Sequence, residues 1–162
     1  MIENLLLNIK NAILADESFK SCLIYPNARG VIGDRDSEII APAVFLEVAN
    51  YSTGSDPATE ELSLIANIEV RVVVDSISEN AELVCQSLAC QIANIAHLNS
   101  FGCNVTPAKI SGISRDSFKP DFDPYICWLV EWSHEFHVGE SVWNESGLPS
   151  HILHINNEVI ND

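Results

Sequence analysis

The sequence predicts an α+β fold in a single domain, in which two main helices pack on one face of a sheet of four to five strands. The sheet is expected to be largely antiparallel, or mixed. Three observations support this: two segments repeat apolar residues at helical spacing, two long segments alternate apolar and polar residues, and short turns join successive strands. The length of 162 residues fits one domain, and 47% apolar with 19% charged residues is an ordinary globular balance.

Both helices are indicated by apolar residues that recur every three or four positions. The first is expected over residues 1–14. Its apolar stripe consists of Ile2, Leu5, Leu6, Ile9 and Ile13. The second is expected to run from Ser78, as N-cap, to about Leu98. Glu79 and Glu82 would lie in its first turn, where the helix dipole favours acids. Its stripe is rich in alanine, which suits close packing against a sheet.

Strands are expected at five places along the chain. They cover residues 21–25, 43–51, 62–75, 105–113 and 125–138. Pro26 ends the first, which suits an edge strand. On the last strand, Trp128, Trp132 and Phe136 share the face that is expected to lie in the core. A partner-binding use of this aromatic stripe would require the face to be exposed.

Charge and cysteine content limit the classes of function. The chain has 8 basic and 23 acidic residues, which gives a net charge of −15. Binding to a nucleic-acid backbone depends on lysine and arginine, so specific nucleic-acid binding is not expected. The five cysteines lack a C-x-x-C spacing and are interpreted as reduced thiols of a cytoplasmic chain, mostly buried in the core. Neither a signal peptide nor a membrane span is expected.

No catalytic, cofactor or metal site is predicted. His134 and His137 would point to opposite faces of their strand and could not share one metal ion. The histidines are instead expected at the surface or in an interface. The chain lacks a G-x-S-x-G motif, and G-V-I-G at 30–33 lacks the Lys-Ser/Thr ending of a phosphate loop. Glu131 and Glu135 share a strand face, which is more typical of a solvated face than of a paired acid and base.

The last strand and the residues after it, Y-I-C-W-L-V-E-W-S-H-E-F-H-V-G-E-S-V-W at 125–143, resemble the C-terminal strand of a known family. This family comprises the tail-terminator, or tail-completion, proteins of long-tailed and Mu-like phages and prophages. Two further segments agree in order: P-A-V-F-L-E-V-A at 42–49, and I-A-N-I-E-V-R-V-V-V-D at 65–75, which an alanine-rich helix follows. The resemblance covers residues 5–143 and consists of architecture and one terminal motif, without catalytic residues.

The resemblance implies a non-enzymatic building block that forms a hexameric ring of identical copies. Such a ring would cap the tail tube, stop its polymerisation and offer a surface to the head-completion protein. Its partners would be further copies of the chain, the tail-tube protein and the head-completion protein. It would be located in the host cytoplasm during assembly and then in the virion tail. An acidic lumen would let DNA pass without adhering.

A closed ring needs heterologous interfaces, in which one patch meets a different patch on the neighbour. The residues expected at this interface are Arg29, Asp34, Arg35, Glu69, Arg71, Glu131, Glu135 and Trp143. Residues 1–143 are expected to form the domain, and residues 144–162 an extension that docks on a neighbouring copy. The alternatives are an adaptor that binds its partner as a monomer or dimer, and a small hydrolase with its site in the loops at 27–42 and 114–124.

Overall fold

A computed structural model describes residues 2–26, 39–116 and 125–142, together with two short strands near the C-terminus. The helices and strands, in chain order, are α1 (Ile2–Ala15), a short 3-10 helix (Glu17–Phe19), β1 (Leu23–Pro26), β2 (Ala43–Thr53), β3 (Leu62–Asp75), α2 (Ala81–Ala96), β4 (Lys109–Arg115), β5 (Tyr125–Val138), β6 (Ile152–Ile155) and β7 (Glu158–Asn161).

Five strands form one sheet in the order β1-β2-β3-β5-β4. β1 is parallel to β2, and the other neighbours are antiparallel. A parallel pair needs a connection longer than a hairpin turn, and residues 27–42 provide it. β6 and β7 form a separate antiparallel pair. The predicted α+β domain, with two helices and a mixed five-stranded sheet, is confirmed.

α1 has the amphipathic face that the sequence predicts, and its end is fixed to α2. Its buried residues are Leu5, Leu6, Ile9 and Ile13. Beyond the helix, the Asp16 carboxylate accepts hydrogen bonds from the backbone N–H of Ser18 (2.9 Å) and from the Gln91 side chain on α2 (2.7 Å). These hydrogen bonds hold the pKa of Asp16 below its usual value.

The predicted start of α2 at Ser78 is wrong. The helix begins at Ala81, and its N-cap residue is Asn80, which has a left-handed backbone (φ 55°). The preceding turn is organised by Asp75 instead, whose carboxylate accepts a hydrogen bond from the Ile77 N–H (3.0 Å). The helix ends at Ala96, since the C-cap residue His97 leaves helical geometry (φ −53°, ψ 120°) and Leu98 then has a left-handed backbone (φ 54°).

The two long strands match their predicted bounds, and β3 pairs with β5 along all of its residues. β2 is longer than predicted and contains a bulge between Val48 and Asn50. β4 starts later than predicted because the residues before it make hydrogen bonds outside the regular strand pairing. Thr106 pairs with Glu135 through both its backbone N–H (2.8 Å) and its hydroxyl (2.7 Å), and Pro107 has no N–H to donate.

Both helices pack on the same face of the sheet, which we call the helix-covered face. On β3 this face carries Ala66, Ile68, Val70, Val72 and Val74, all buried. On β5 it carries the aromatic stripe: Trp132 and Phe136 are buried, and Trp128 packs partly buried against them. The stripe is therefore core, as predicted, and is not an exposed aromatic patch.

His134 is a core residue, so its predicted surface or interface position is wrong. Its Nε2 accepts a hydrogen bond from the Trp132 indole N–H (3.0 Å), and its Nδ1 lies 2.7 Å from the Thr106 carbonyl oxygen. An indole can only donate, so Nδ1 carries the proton and donates to that carbonyl. Burial lowers the pKa of His134, while the Thr106 hydrogen bond raises it less. The two partners make a neutral histidine compatible with the core.

The five cysteines are free thiols. Cys22, Cys85 and Cys127 are buried, Cys103 is half-buried and Cys90 is exposed, so most serve the core as predicted. Burial raises the pKa of Cys85 to about 12, which keeps it as an unreactive thiol. Within the described residues, no helix has both the length and the apolar character needed to cross a membrane.

Candidate subunit interface

The face of the sheet opposite the helices, here called the helix-free face, has two regions. One is a small apolar cluster of Ala43, Phe45, Val73 and Cys127, all buried. Aromatic residues pack on this cluster: the Tyr25 ring stacks on Phe45 with centroids 5.2 Å apart, and the Tyr125 hydroxyl donates to the Ile39 carbonyl (3.1 Å). The other region is polar and contains every described residue that the sequence predicted at the interface.

Three glutamates form a row across the polar region. Glu47 on β2 lies directly opposite Glu69 on β3, and Glu69 lies directly opposite Glu131 on β5. We call these three residues the acidic row. Like charges that face each other across neighbouring strands are destabilising. The row therefore costs stability unless a cation offsets it.

Arg71 supplies that cation for one side of the row. Its guanidinium contacts Glu47 (2.5 Å), Glu69 (2.5 Å) and Asp116 (2.8 Å), and its side chain is only 7% exposed. Burial lowers the pKa of Arg71, but the hydrogen bonds that it donates to Asp116 and Glu69 and the charges of Glu69 and Glu47 raise it above its ordinary value. All three guanidinium nitrogens are engaged, so Arg71 is held as a permanent cation.

Glu131 is the end of the row that Arg71 does not reach. It is half-buried, and within residues 2–26, 39–116 and 125–142 no hydrogen bond or ion pair involves it. Its neighbour on β4 is Gly112, where an added Cβ would lie 3.5 Å from the Glu131 carboxylate. The glycine leaves the carboxylate open on the side of the sheet edge.

Hydrogen-bonded polar groups continue along the helix-free face beyond the acidic row. Asn67 donates to Asn50 (2.7 Å), and the Ser63 hydroxyl donates to Glu135 (2.5 Å). Gly54 lies against this last pair, where a Cβ would be 2.1 Å from the Ser63 oxygen. Glu135 also lines an open cleft of about 740 Å³. The helix-free face thus presents hydrogen-bond acceptors whose positions are fixed by these hydrogen bonds.

The structure brings together four of the predicted interface residues: Glu69, Arg71, Glu131 and Glu135 all lie on the helix-free face. Arg29, Asp34, Arg35 and Trp143 lie outside the described residues. Sequence reasoning missed Glu47 and Asp116, the other two partners of Arg71. The alternation of β2 already placed Glu47 on the other face of the strand from Val44 and Leu46. Only the register between strands shows that Glu47 faces Glu69.

The described residues contain no group of three or more histidine, cysteine or acidic side chains that could hold a metal ion. Most of the two loops considered for a hydrolase site, at 27–42 and 114–124, lies outside the described residues. The chain matches no known protein-family model and no curated protein.

Proposed function

We propose that the chain is a structural subunit that assembles into a closed ring, as the tail terminator of a long-tailed phage or prophage. The ring caps the tail tube, stops its polymerisation and offers a surface to the head-completion protein. The observation that carries the assembly step is the incomplete acidic row, in which Arg71 offsets Glu47 and Glu69 while Glu131 has no described cationic partner.

The acidic row fits an interface better than a role in the isolated subunit. Opposed carboxylates weaken the pairing of β3 with β5, and a glutamine at 131 would fold at lower cost. A feature that costs stability within a fold is commonly retained for function. A cation from a neighbouring copy would offset the charge of Glu131 and would make the row favourable in the assembly.

The chain itself contains suitable cations. Among its 8 basic residues, Lys20, Arg71 and Arg115 are already in ion pairs within the described residues. Arg29 and Arg35 lie in the segment at 27–38, which the sequence predicts as an interface loop. An acidic patch on one copy and a basic segment on the next are different surfaces. Contacts of this heterologous kind form closed rings when the rotation closes.

The net charge of −15 per subunit gives the proposed ring a second property. A ring of six such subunits has a strongly negative field, so DNA that passes through the lumen is repelled from the wall and does not adhere. If Asp/Glu→Asn/Gln changes on the lumen surface left DNA passage and infectivity unchanged, this part of the proposal would be wrong.

The native mass, measured by light scattering over a range of protein and salt concentrations, tests the assembly. We expect a discrete hexamer. Each subunit carries a net charge of −15, so salt should strengthen the ring by screening this repulsion more than it weakens the Glu131 contact. Glu131→Arg should weaken the ring by at least about tenfold, since it replaces an attraction to the neighbour's cation by a repulsion between like charges at each contact. Glu79→Arg, with the same charge change at an exposed turn, is the matched control.

A chain that remains a monomer under all these conditions is next tested for binding to purified tail tubes, because assembly on a template offsets the entropy lost on association. Failure to form a ring both in solution and on tubes contradicts the proposal. The remaining function is then that of an adaptor that acts as a monomer.

A further inference from the structure

The two edges of the five-stranded sheet differ in what they present to a further strand. β1 forms one edge with 4 residues, and β4 forms the other with 7. The Leu23 N–H donates to the Pro42 carbonyl next to β2 (3.1 Å). Backbone groups alternate in direction along a strand, so those of Ile24 and Pro26 point away from β2. Pro26 has no N–H and Ile24 is only 8% exposed, so the β1 edge has little with which a further strand could pair.

The β4 edge has backbone groups that a further strand could pair with. The Asp116 N–H donates to the Cys127 carbonyl on β5 (3.0 Å). By the alternation of an antiparallel strand, Ser114 also faces β5, whereas the backbone groups of Ile113 and Arg115 point away from it. Within the part of the chain that the structure describes, no hydrogen bond involves these outward groups. Ile113 is also 38% exposed, so the edge is accessible from outside.

The charges of β4 disfavour pairing with the β4 strand of a second copy. The strand is K-I-S-G-I-S-R, with Lys109 and Arg115 at its two ends. In an antiparallel pair of β4 strands centred on Gly112, Lys109 of each copy faces Arg115 of the other, and like charges in that position are destabilising. β4 also contains a bulge between Ile110 and Gly112. Cations and bulges on edge strands are common means of preventing pairing between like edges.

The same two cations favour a strand of opposite charge. Lys109 is exposed and makes no ion pair with any residue that the structure describes. Arg115 contacts Glu82 through one guanidinium nitrogen (3.6 Å), and 57% of its side chain is exposed. The whole chain has a net charge of −15, but charges more than about 8 Å away are largely screened at physiological ionic strength. A strand that lies against β4 therefore interacts mainly with the two cations.

We propose that β4 is the docking edge for an extended acidic segment of a partner protein, which joins the sheet as a further strand. Main-chain hydrogen bonds to Ile113 and Arg115 give this contact its affinity, and the cations at the two ends of β4 select carboxylates on the incoming strand. The inference goes beyond the proposed function. It requires a partner with a different sequence, and it holds whether or not the chain forms a ring.

Binding of a synthetic peptide to the full-length chain tests this edge. The peptide matches the length of β4, alternates threonine and valine, and has a glutamate at each end; a control peptide has lysines in place of the glutamates. Amide hydrogen exchange, followed by NMR, locates the binding. The acidic peptide should slow the exchange of the Ile113 and Arg115 N–H groups by at least about tenfold and that of Ser114 much less. The lysine peptide should bind at least about tenfold more weakly.

Two variants separate the backbone contribution from the charge contribution. Ile113→Pro removes an outward N–H and keeps the bonds between β4 and β5, because an edge strand tolerates proline where the N–H faces solvent. It should weaken binding of the acidic peptide by about tenfold, whereas Ile113→Thr, which keeps the N–H, should change it little. Lys109→Glu should also weaken binding by about tenfold. Lys20→Glu, the same charge change at a residue that is 64% exposed, is its matched control.

Urea unfolding shows whether Ile113→Pro is folded, and Lys109→Glu decides the test if it is not. Three outcomes overturn the inference. If the lysine peptide binds as tightly as the acidic one, the charges of β4 do not select the partner. If the Ile113 and Arg115 amides are protected in the chain alone, increasingly with concentration, a second copy covers the edge. If no peptide slows exchange in β4 at millimolar concentration, the edge accepts no strand, and the proposed ring is unaffected by that result.

Discussion

The two faces of the central sheet are stabilised in different ways. The helix-covered face is a continuous apolar core, in which Trp132, Ile68 and Val70 are packed under α1 and α2. The helix-free face has a smaller apolar cluster and, beside it, Arg71 enclosed by three carboxylates. On the first face stability comes from buried apolar area. On the second it depends on the smaller apolar cluster and on keeping the charges around Arg71 matched.

This difference determines how each face responds to change. Replacing a buried apolar residue by a smaller one lowers stability in proportion to the volume of the cavity that is left. A buried ion cluster cannot lose one member without leaving charges that are neither hydrated nor paired. The helix-free face is therefore more sensitive to charge than to size, and pH and ionic substitutions should distinguish it from the helix-covered face.

The largest expected effect is on the helix-covered face. Trp132→Ala removes the largest fully buried side chain and should lower the free energy of unfolding by about 3–5 kcal/mol. It also removes the indole N–H that donates a hydrogen bond to His134. Urea unfolding measures the loss. Trp128→Ala, on the same strand but only partly buried, is the control and should cost clearly less. An equal loss of unfolding free energy in the two variants would mean that the burial of a tryptophan does not determine the cost of removing it.

The next effect concerns the charged centre of the helix-free face. Arg71→Met should lower the free energy of unfolding by about 3–5 kcal/mol at pH 7, because it leaves Glu47, Glu69 and Asp116 close together without their cation. Urea unfolding of the variant and of wild type at pH 7 measures the loss.

A neutralised cluster provides the control for Arg71→Met. Adding Glu47→Gln, Glu69→Gln and Asp116→Asn to that variant should recover most of the loss, because the carboxylates that lack their cation are then neutral. A loss that the neutralised variant keeps in full would mean that Arg71 acts through the packing of its aliphatic part.

The comparison of faces also explains how much of the fold the sequence could predict. Alternation at 62–75 and 125–138 gave β3 and β5 their correct bounds, since a half-buried strand must alternate. The start of α2 was missed because Asp75 and Asn80, and not Ser78, organise the turn. Such local competition between capping residues is decided by backbone angles, which a sequence pattern does not contain.

The site was less predictable than the fold. Alternation correctly put Glu69, Arg71, Glu131 and Glu135 on the face away from the core. It could not show that Glu47 joins the row, because register between strands depends on tertiary pairing and on the bulge in β2. His134 was misplaced for a related reason: its partners Trp132 and Thr106 become neighbours only in the folded chain.

His134 gives the helix-covered face its own pH dependence. Its folded pKa lies below the unfolded value of about 6.5, so below that pH the unfolded chain binds the proton more readily. Stability is complete above about pH 6.5 and should fall as the pH decreases towards the folded pKa, by at most about 1.4 kcal/mol per pH unit. Unfolding measured between pH 5 and 7.5 checks this.

His134→Gln should remove that slope, since glutamine can accept from Trp132 and donate to Thr106 without titrating in this range. His137→Gln, at an exposed position on the same strand, is the matched control and should keep the slope. A slope that survives His134→Gln would have to come from groups elsewhere in the molecule.

The smallest effect bears most directly on the difference between the faces. Glu131→Gln removes one charge of the acidic row and should raise the free energy of unfolding of the dilute subunit by about 0.2–1 kcal/mol, because Glu69 no longer opposes it. Glu79→Gln, on an exposed turn, should change it little. If the proposed ring forms, the same Glu131→Gln variant should form it more weakly, since a neighbour's cation then loses its partner. A residue that served only the fold could not move the two measurements in opposite directions. A decrease in both would make Glu131 a structural residue and would contradict the assembly role proposed for the helix-free face.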